Sequence, residues 1–145
     1  MYLNARRHLW TWNEESGDKA VAEHIQEIAK IPEHFPVKEI KIEAGYWRKS
    51  NQIHQWFVQN VQDGTDDCGN YYVSKQDLID LREVCQKVIA DNSLAPTLLP
   101  TASGFFFGAK EYEDWYYRDL DETVKILDKA LSLGSGWDFE YHSSW

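Results

Sequence analysis

Residues 45–61 decide the fold of this chain, and they have the sequence GYWRKSNQIHQWFVQNV. Apolar side chains recur there at helical spacing and give one face of an amphipathic helix. That face consists of Tyr46, Ile53, Phe57 and Val61. The adjoining face consists of Trp47, Asn51, His54 and Val58, and the far side consists of Arg48, Gln52, Gln55 and Gln59. The pattern predicts a central helix that places Ile53, Trp56 and Phe57 in the core.

Strand patterns lie on both sides of this helix. Residues 2–12 carry aromatic side chains among basic ones, residues 37–44 alternate, and residues 71–73 form a short apolar run. For residues 37–44 a helix stays open as an alternative. Residues 137–145 alternate along their whole length, with Trp137, Phe139, Tyr141 and Trp145 on one face and Asp138, Glu140, His142 and Ser144 on the other. We expect this last strand to pair beside the first one.

Helical periodicity appears in three further segments. One begins near Asp18 and stops before Pro32, one begins at Ser74 with Asp77 as a capping-box acid, and one covers residues 112–131. Residues 91–108 contain prolines, serine and glycines and predict a long irregular connection. The expected fold is α+β, with one domain over residues 1–145. A small antiparallel sheet of N-terminal, central and C-terminal strands packs with about four helices.

The charge balance restricts the classes of partner. The chain has 24 acidic and 15 basic residues, a formal net charge of −9, and no basic stripe that would neutralise phosphates. We therefore expect no direct nucleic-acid binding, and the acidic surface serves either solubility or a basic partner. Two cysteines without a signal peptide indicate a cytoplasmic protein, and no apolar run is long enough to span a membrane.

Signatures of chemistry are weak throughout the chain. Cys68, Cys85 and His54 do not have zinc-ligand spacing, and the acidic loop at residues 63–67 lacks the ligand order of a calcium site. No nucleophile lies in a recognisable elbow or beside a phosphate loop. We therefore predict no catalytic residue, no metal and no cofactor. Enzymatic activity stays open only if His54 faces a carboxylate in a cleft.

Polar residues placed between aromatic ones are the strongest functional signal. Aromatic planes with a few amides and a guanidinium are typical of a pocket for a planar ligand. The candidate ligand-binding residues are Trp47, Arg48, Asn51, His54, Phe105, Phe106 and Trp115. The alternative is a core in which Asn51 and His54 hydrogen-bond the loop backbone.

Several motifs of the chain resemble those of one family. They are GYWRKSNQIHQWFV at residues 45–58, DCG at 67–69, LPTASGFFFG at 99–108, EDWY at 113–116 and YHSSW at 141–145. Together they are similar to the hallmarks of a family of small, uncharacterised phage and prophage proteins. The resemblance implies a phage-encoded accessory protein in the host cytoplasm, such as an anti-defence factor. The lack of catalytic signatures favours a non-catalytic binder, and the cluster of aromatic and polar residues makes a nucleotide-like small molecule its candidate ligand. The alternative is an acidic inhibitor that binds a basic site on a host enzyme.

Overall fold

The computed structural model describes residues 1–101 and 112–144. Within these ranges the strands are β1 (Tyr2–His8), β2 (Glu39–Tyr46), β3 (Asn70–Val73) and β4 (Asp138–His142). The helices are α1 (Asp18–Ala29), α2 (Asn51–Asn60), α3 (Lys75–Ala90), α4 (Ala95–Leu98) and α5 (Asp114–Leu131). The predicted α+β class is confirmed, and the one-turn helix α4 is an addition to the four predicted helices.

All four strands form one antiparallel sheet in the order β2-β1-β4-β3. Tyr2 of β1 lies opposite Tyr46 of β2 on one side and opposite His142 of β4 on the other. β4 also pairs with β3, where Tyr72 lies opposite Glu140. The expectation that the last strand pairs beside the first is confirmed, and β4 is an interior strand with a partner on each side.

One face of the sheet carries the hydrophobic core. Leu3 and Ala5 of β1 are fully buried there, together with Phe139 and Tyr141 of β4. Helices α3 and α5 pack against each other, and α5 also packs against β2. A Cβ atom at Gly45 would collide with the side chain of Ile126, so α5 lies directly on the backbone of β2. Ile53, Trp56 and Phe57 belong to this core, as predicted.

Helix α3 begins with the predicted capping box. The backbone N–H of Asp77 donates to Oγ of Ser74 at 3.1 Å, and the backbone N–H of Ser74 donates to Oδ2 of Asp77 at 2.8 Å. These two bonds satisfy backbone donors that the first helical turn leaves without intrahelical partners.

The central helix is shorter than predicted, because it begins at Asn51 and not at Tyr46. The backbone N–H of Trp47 donates to the carbonyl of Met1 at 2.9 Å, and the amino group of Met1 donates to the carbonyl of Trp47 at 3.1 Å. Pairing with the first strand therefore continues through residue 47 and excludes helical hydrogen bonds there. Lys49 then has a left-handed φ of 62°, which a helix cannot contain. The strand predicted before this point is confirmed over its helical alternative.

Two other predicted elements differ from the structure. β1 ends at His8 instead of Trp12, because Trp10 turns away and its backbone N–H donates to Oδ2 of Asp18 at 3.0 Å. The predicted irregular connection contains α4 and buries Ala95 and Leu99 in the core. Residues 102–108 of that connection lie outside the described residues.

Candidate functional site

Trp47, the first predicted ligand-binding residue, is a core side chain. It is buried, its ring centroid lies 5.8 Å from that of Phe57, and its Nε1–H donates to Oγ1 of Thr123 at 2.9 Å. Oγ1 of Thr123 in turn donates to the carbonyl of Asp119 at 2.6 Å. Trp47 therefore attaches the segment before α2 to helix α5.

Helix α5 also contacts one residue on the far side of α2. Gln52 is buried, contrary to the prediction, and its Nε2 donates to Oδ2 of Asp119 at 3.4 Å. Burial raises the pKa of Asp119, and hydrogen bonds from Ser50 and Gln52 act against that rise. Helical periodicity identifies one apolar face of α2 and gives no sign that Gln52, on the opposite side, contacts a second helix.

His54 lies at the centre of a buried hydrogen-bonded chain. His54 is 1% exposed. Its Nδ1 lies 2.7 Å from the hydroxyl of Tyr141, and its Nε2 lies 3.1 Å from Oδ1 of Asp66. The ring of Tyr141 stacks on Phe57 with centroids 4.0 Å apart and an interplanar angle of 11°. The chain thus joins strand β4, helix α2 and the loop that follows α2.

The partners of His54 determine its proton arrangement. A carboxylate only accepts hydrogen bonds, so Nε2–H donates to Asp66 and Nδ1 accepts from the hydroxyl of Tyr141. Burial lowers the pKa of His54 more than Asp66 raises it, and burial raises the pKa of Tyr141. His54 is therefore a neutral ring held between two fixed partners. His54 holds the loop through the side chain of Asp66. A bond to the loop backbone was the alternative to a ligand pocket in the sequence analysis, and the observed bond differs from it in its acceptor.

The remaining predicted residues lie in different surroundings. Asn51 is buried in the first turn of α2, whereas Arg48 is exposed. Trp115 is 68% exposed at the start of α5, where the guanidinium carbon of Arg118 lies 4.9 Å from its ring centroid. Phe105 and Phe106 lie outside the described residues. Within the described part of the chain, the predicted set divides into three core residues and two surface residues.

The outer face of the sheet forms a second candidate site, which the sequence analysis did not identify. Side chains that alternate with the core residues lie on this face, so it displays Tyr2, Asn4, Arg6 and His8 of β1. A cavity of about 460 Å³ opens there. Its lining residues are Arg6, His8, Glu39, Asn70, Tyr72, Asp138, Phe139 and Glu140. This volume is within the range of small-ligand and side-chain pockets.

An ion-pair network forms the floor of this cavity. Arg6 donates to both carboxylate oxygens of Glu39, at 3.1 and 2.7 Å, and to Oε2 of Glu140 at 2.9 Å. Lys41 donates to Oε1 of Glu140 at 2.9 Å. Lys41 and Arg6 hold the pKa of Glu140 below its ordinary value, and Arg6 does the same for Glu39. Both glutamates are therefore ionised and already neutralised by cations of this chain.

Asp138 and Tyr72 are the uncommitted groups at the edge of the cavity. Asp138 lies opposite Arg6 in the sheet, yet it forms no ion pair with any described residue. Tyr72 is 67% exposed beside Glu140. A carboxylate next to an exposed aromatic ring binds a cation by charge and by cation–π attraction. This site is therefore suited to a guanidinium or ammonium group.

An aromatic shelf, formed by His8, Trp10 and Trp12, adjoins the cavity. The ring centroids of His8 and Trp10 are 4.3 Å apart, and those of Trp10 and Trp12 are 6.0 Å apart. Both tryptophans are exposed. Because His8 also lines the cavity, a ligand longer than one side chain would contact the shelf next.

No protein-family model, curated protein or solved structure matches this chain. Across residues 1–101 and 112–144, no cluster of three acidic, histidine or cysteine side chains has the arrangement of a metal site. No helix in the described ranges combines the length and apolar character needed to cross a membrane.

The sequence did contain a signal for the second site. It placed Asp138, Glu140 and His142 on the polar face of the last strand, and the structure sets all three on the outer face of the sheet. What it lacked was the strand order, which brings Arg6 and Tyr72 to either side of Glu140.

Proposed function

We propose that this chain is a non-catalytic binding protein that takes a basic segment of another protein on the outer face of its sheet. The observation that carries the proposal is that one cavity of about 460 Å³ is lined both by the exposed ring of Tyr72 and by the carboxylate of Asp138, which forms no ion pair with a described residue. A net charge of −9 adds long-range attraction for a basic partner.

The ion-pair network supports this proposal because it prepares the site without a ligand. Arg6 fixes Glu39 and Glu140 in place, so the cavity does not need to reorganise when a cation enters. The entering cation would then contact Asp138 and Tyr72, while the chain on either side of it would lie along His8 and Trp10.

The setting of this function is a further part of the proposal. The resemblance to phage and prophage proteins supports a phage-encoded inhibitor that acts in the host cytoplasm and blocks the basic site of a host enzyme. The sequence predicts a nucleotide-like ligand, and that ligand is not part of this proposal. Three of the residues predicted to bind it, Trp47, Asn51 and His54, are core residues.

Binding of a fluorescein-labelled peptide of eight arginines tests the proposed site, with fluorescence anisotropy as the measurement. At low salt we expect Asp138→Asn and Tyr72→Ala each to weaken binding about two- to fivefold, the scale of an exposed ion pair or cation–π contact. The matched control is Asp121→Asn, which removes the same charge from the exposed side of α5. Raising the salt concentration should weaken peptide binding by the wild type and by every variant, because salt screens exposed charges.

Equal weakening by Asp138→Asn and Asp121→Asn would show that the peptide follows net charge and not this cavity. A pull-down from host lysate at low ionic strength then identifies the natural partner. Recovery of a basic protein in equal amounts with the wild-type chain and with Asp121→Asn, and in a clearly smaller amount with Asp138→Asn, is the result that we expect. Equal recovery with all three would contradict the proposal.

A further inference from the structure

The outer edge of β2 is the longest unpaired strand edge in the described structure. β2 covers Glu39–Tyr46 and pairs with β1 on one side, and no described strand pairs with it on the other. Such an edge displays backbone N–H and C=O groups that are free to pair with another strand. Natural proteins usually shorten or cover edges of this kind, so its length calls for an explanation.

The hydrogen-bond pattern shows which backbone groups of β2 point outward. The backbone N–H of Leu9 donates to the carbonyl of Lys38, and β1 and β2 keep one regular register from there to the pair of Asn4 and Glu43. In an antiparallel pair, hydrogen-bonded and non-hydrogen-bonded residues alternate. Residues 38, 40 and 42 therefore bond to β1, and the backbone groups of residues 39, 41 and 43 point to the free edge.

The side chains on this edge are complementary to the same side chains of a second copy of the chain. We propose that β2 pairs antiparallel with β2 of a second copy of this chain, with Ile42 opposite Ile42 on a two-fold axis. This register sets Lys41 opposite Glu43 of the second copy, once on each side of the axis. It also uses the outward backbone groups of residues 41 and 43 for hydrogen bonds, as the alternation requires.

Neighbouring registers are less favourable. The register that sets Lys41 opposite Lys41 of the second copy would place like charges together. The register with Lys41 opposite Glu39 would compete with the two hydrogen bonds from Arg6 to Glu39. Glu43, by contrast, is in no ion pair with a described cation, and Ile42 is 38% exposed and would be covered. Lys41 already donates to Glu140 at 2.9 Å, but its ammonium group has three N–H donors and can also bond Glu43 of the second copy. Opposite charges and an apolar pair at the centre thus select one arrangement.

The paired copies would form a continuous eight-stranded sheet. A two-fold axis perpendicular to the sheet keeps both outer faces on the same side, and with strands about 4.8 Å apart the two cavities would lie roughly 20 Å from each other. A partner with two basic segments at that spacing would bind both at once, with a gain in avidity. The self-association itself does not depend on the proposed function of the cavity.

Sedimentation velocity over a range of about 1–500 μM protein tests the pairing through charge reversal. We expect the wild-type chain to approach twice its monomer mass of 17.0 kDa as the concentration rises. Glu43→Lys sets lysine opposite Lys41 on both sides of the axis, and should weaken association about tenfold or more. The control Glu23→Lys makes the same charge change on the exposed side of α1 and should associate like the wild type.

A mixture of two variants decides the register. Lys41→Glu alone sets two glutamates opposite each other and should also stay monomeric. Mixed with Glu43→Lys, it should form a heterodimer, because each glutamate then lies opposite a lysine. Circular dichroism checks that Lys41→Glu is folded, since this variant loses its bond to Glu140. A wild type that stays monomeric throughout, a Glu43→Lys variant that associates normally, or folded variants that do not combine would each overturn the proposal.

Discussion

Tyr141→Phe tests whether the buried chain through His54 holds the fold together. The substitution keeps the aromatic ring that stacks on Phe57 at 4.0 Å, so the apolar packing is unchanged. It removes only the hydroxyl, which lies 2.7 Å from Nδ1 of His54 in a site without access to solvent. The acceptor nitrogen then loses the donor that Tyr141 supplies.

The expected loss in the free energy of unfolding is about 1–3 kcal/mol, the scale of removing one hydrogen-bond partner from a buried polar group. For a chain of this size that corresponds to a decrease in melting temperature of roughly 3–10 °C. Urea denaturation followed by tryptophan fluorescence measures the free energy, and thermal denaturation followed by circular dichroism measures the melting temperature. Tyr72→Phe is the matched control, because its hydroxyl belongs to an exposed residue of the neighbouring strand β3.

A double-mutant cycle isolates the hydrogen bond from other effects of the change. When His54→Leu is already present, Tyr141→Phe should cost less than about 0.5 kcal/mol, because no buried acceptor is left. If Tyr141→Phe costs the same in both backgrounds, the two side chains are not coupled and our assignment of the hydrogen bond is wrong. The same conclusion follows if it costs no more than Tyr72→Phe in the wild type.

Three other predictions concern stability. Phe57→Ala should lower the free energy of unfolding by about 3–5 kcal/mol in urea denaturation, since its ring is fully buried between Tyr141 and Trp47; a loss below about 1 kcal/mol would contradict this. Deletion of residues 137–145 removes an interior strand with partners on both sides, so the remaining chain should show no cooperative unfolding transition; a sharp transition would refute that. The wild type should lose stability as the pH falls from 6.5 to 5.5, because burial lowers the pKa of His54 below its ordinary 6.5 and the unfolded chain then binds more protons than the folded one. The variant His54→Gln should lose less stability over the same pH range. An equal loss in both proteins would exclude His54 as the cause.

Period-2 and helical patterns predicted most elements correctly because they report which side of each element faces the core. The alternation at residues 137–145 even placed Phe139 and Tyr141 inside and Asp138 and Glu140 outside before any strand order was known. Patterns of this kind describe an element by itself, and the end of β2 shows their limit. Tyr46 and Trp47 fit a helical face by spacing, yet their backbone pairs with residues 1 and 2, which are distant in sequence.

The same limit explains the candidate sites. A mixture of aromatic and polar residues at residues 47–54 has the composition of a pocket, but composition does not show whether Asn51 and His54 face a ligand or other core atoms. The cavity on the outer face needs residues from β1, β3 and β4 together, and no local spacing joins Arg6, Tyr72 and Asp138. Such a site follows from topology and becomes visible only in three dimensions.

The interior position of β4 also has a consequence for biosynthesis. Of the four strands, β1 leaves the ribosome first. Its neighbour β4 is more than 130 residues away in sequence, since Arg6 and Glu140 are separated by 134 residues. Until residues 138–142 emerge, the nascent chain contains β1 and β2 with one side of β1 exposed, and β3 has no partner at all. The sheet must therefore close after its other strands are synthesised, which predicts slow folding.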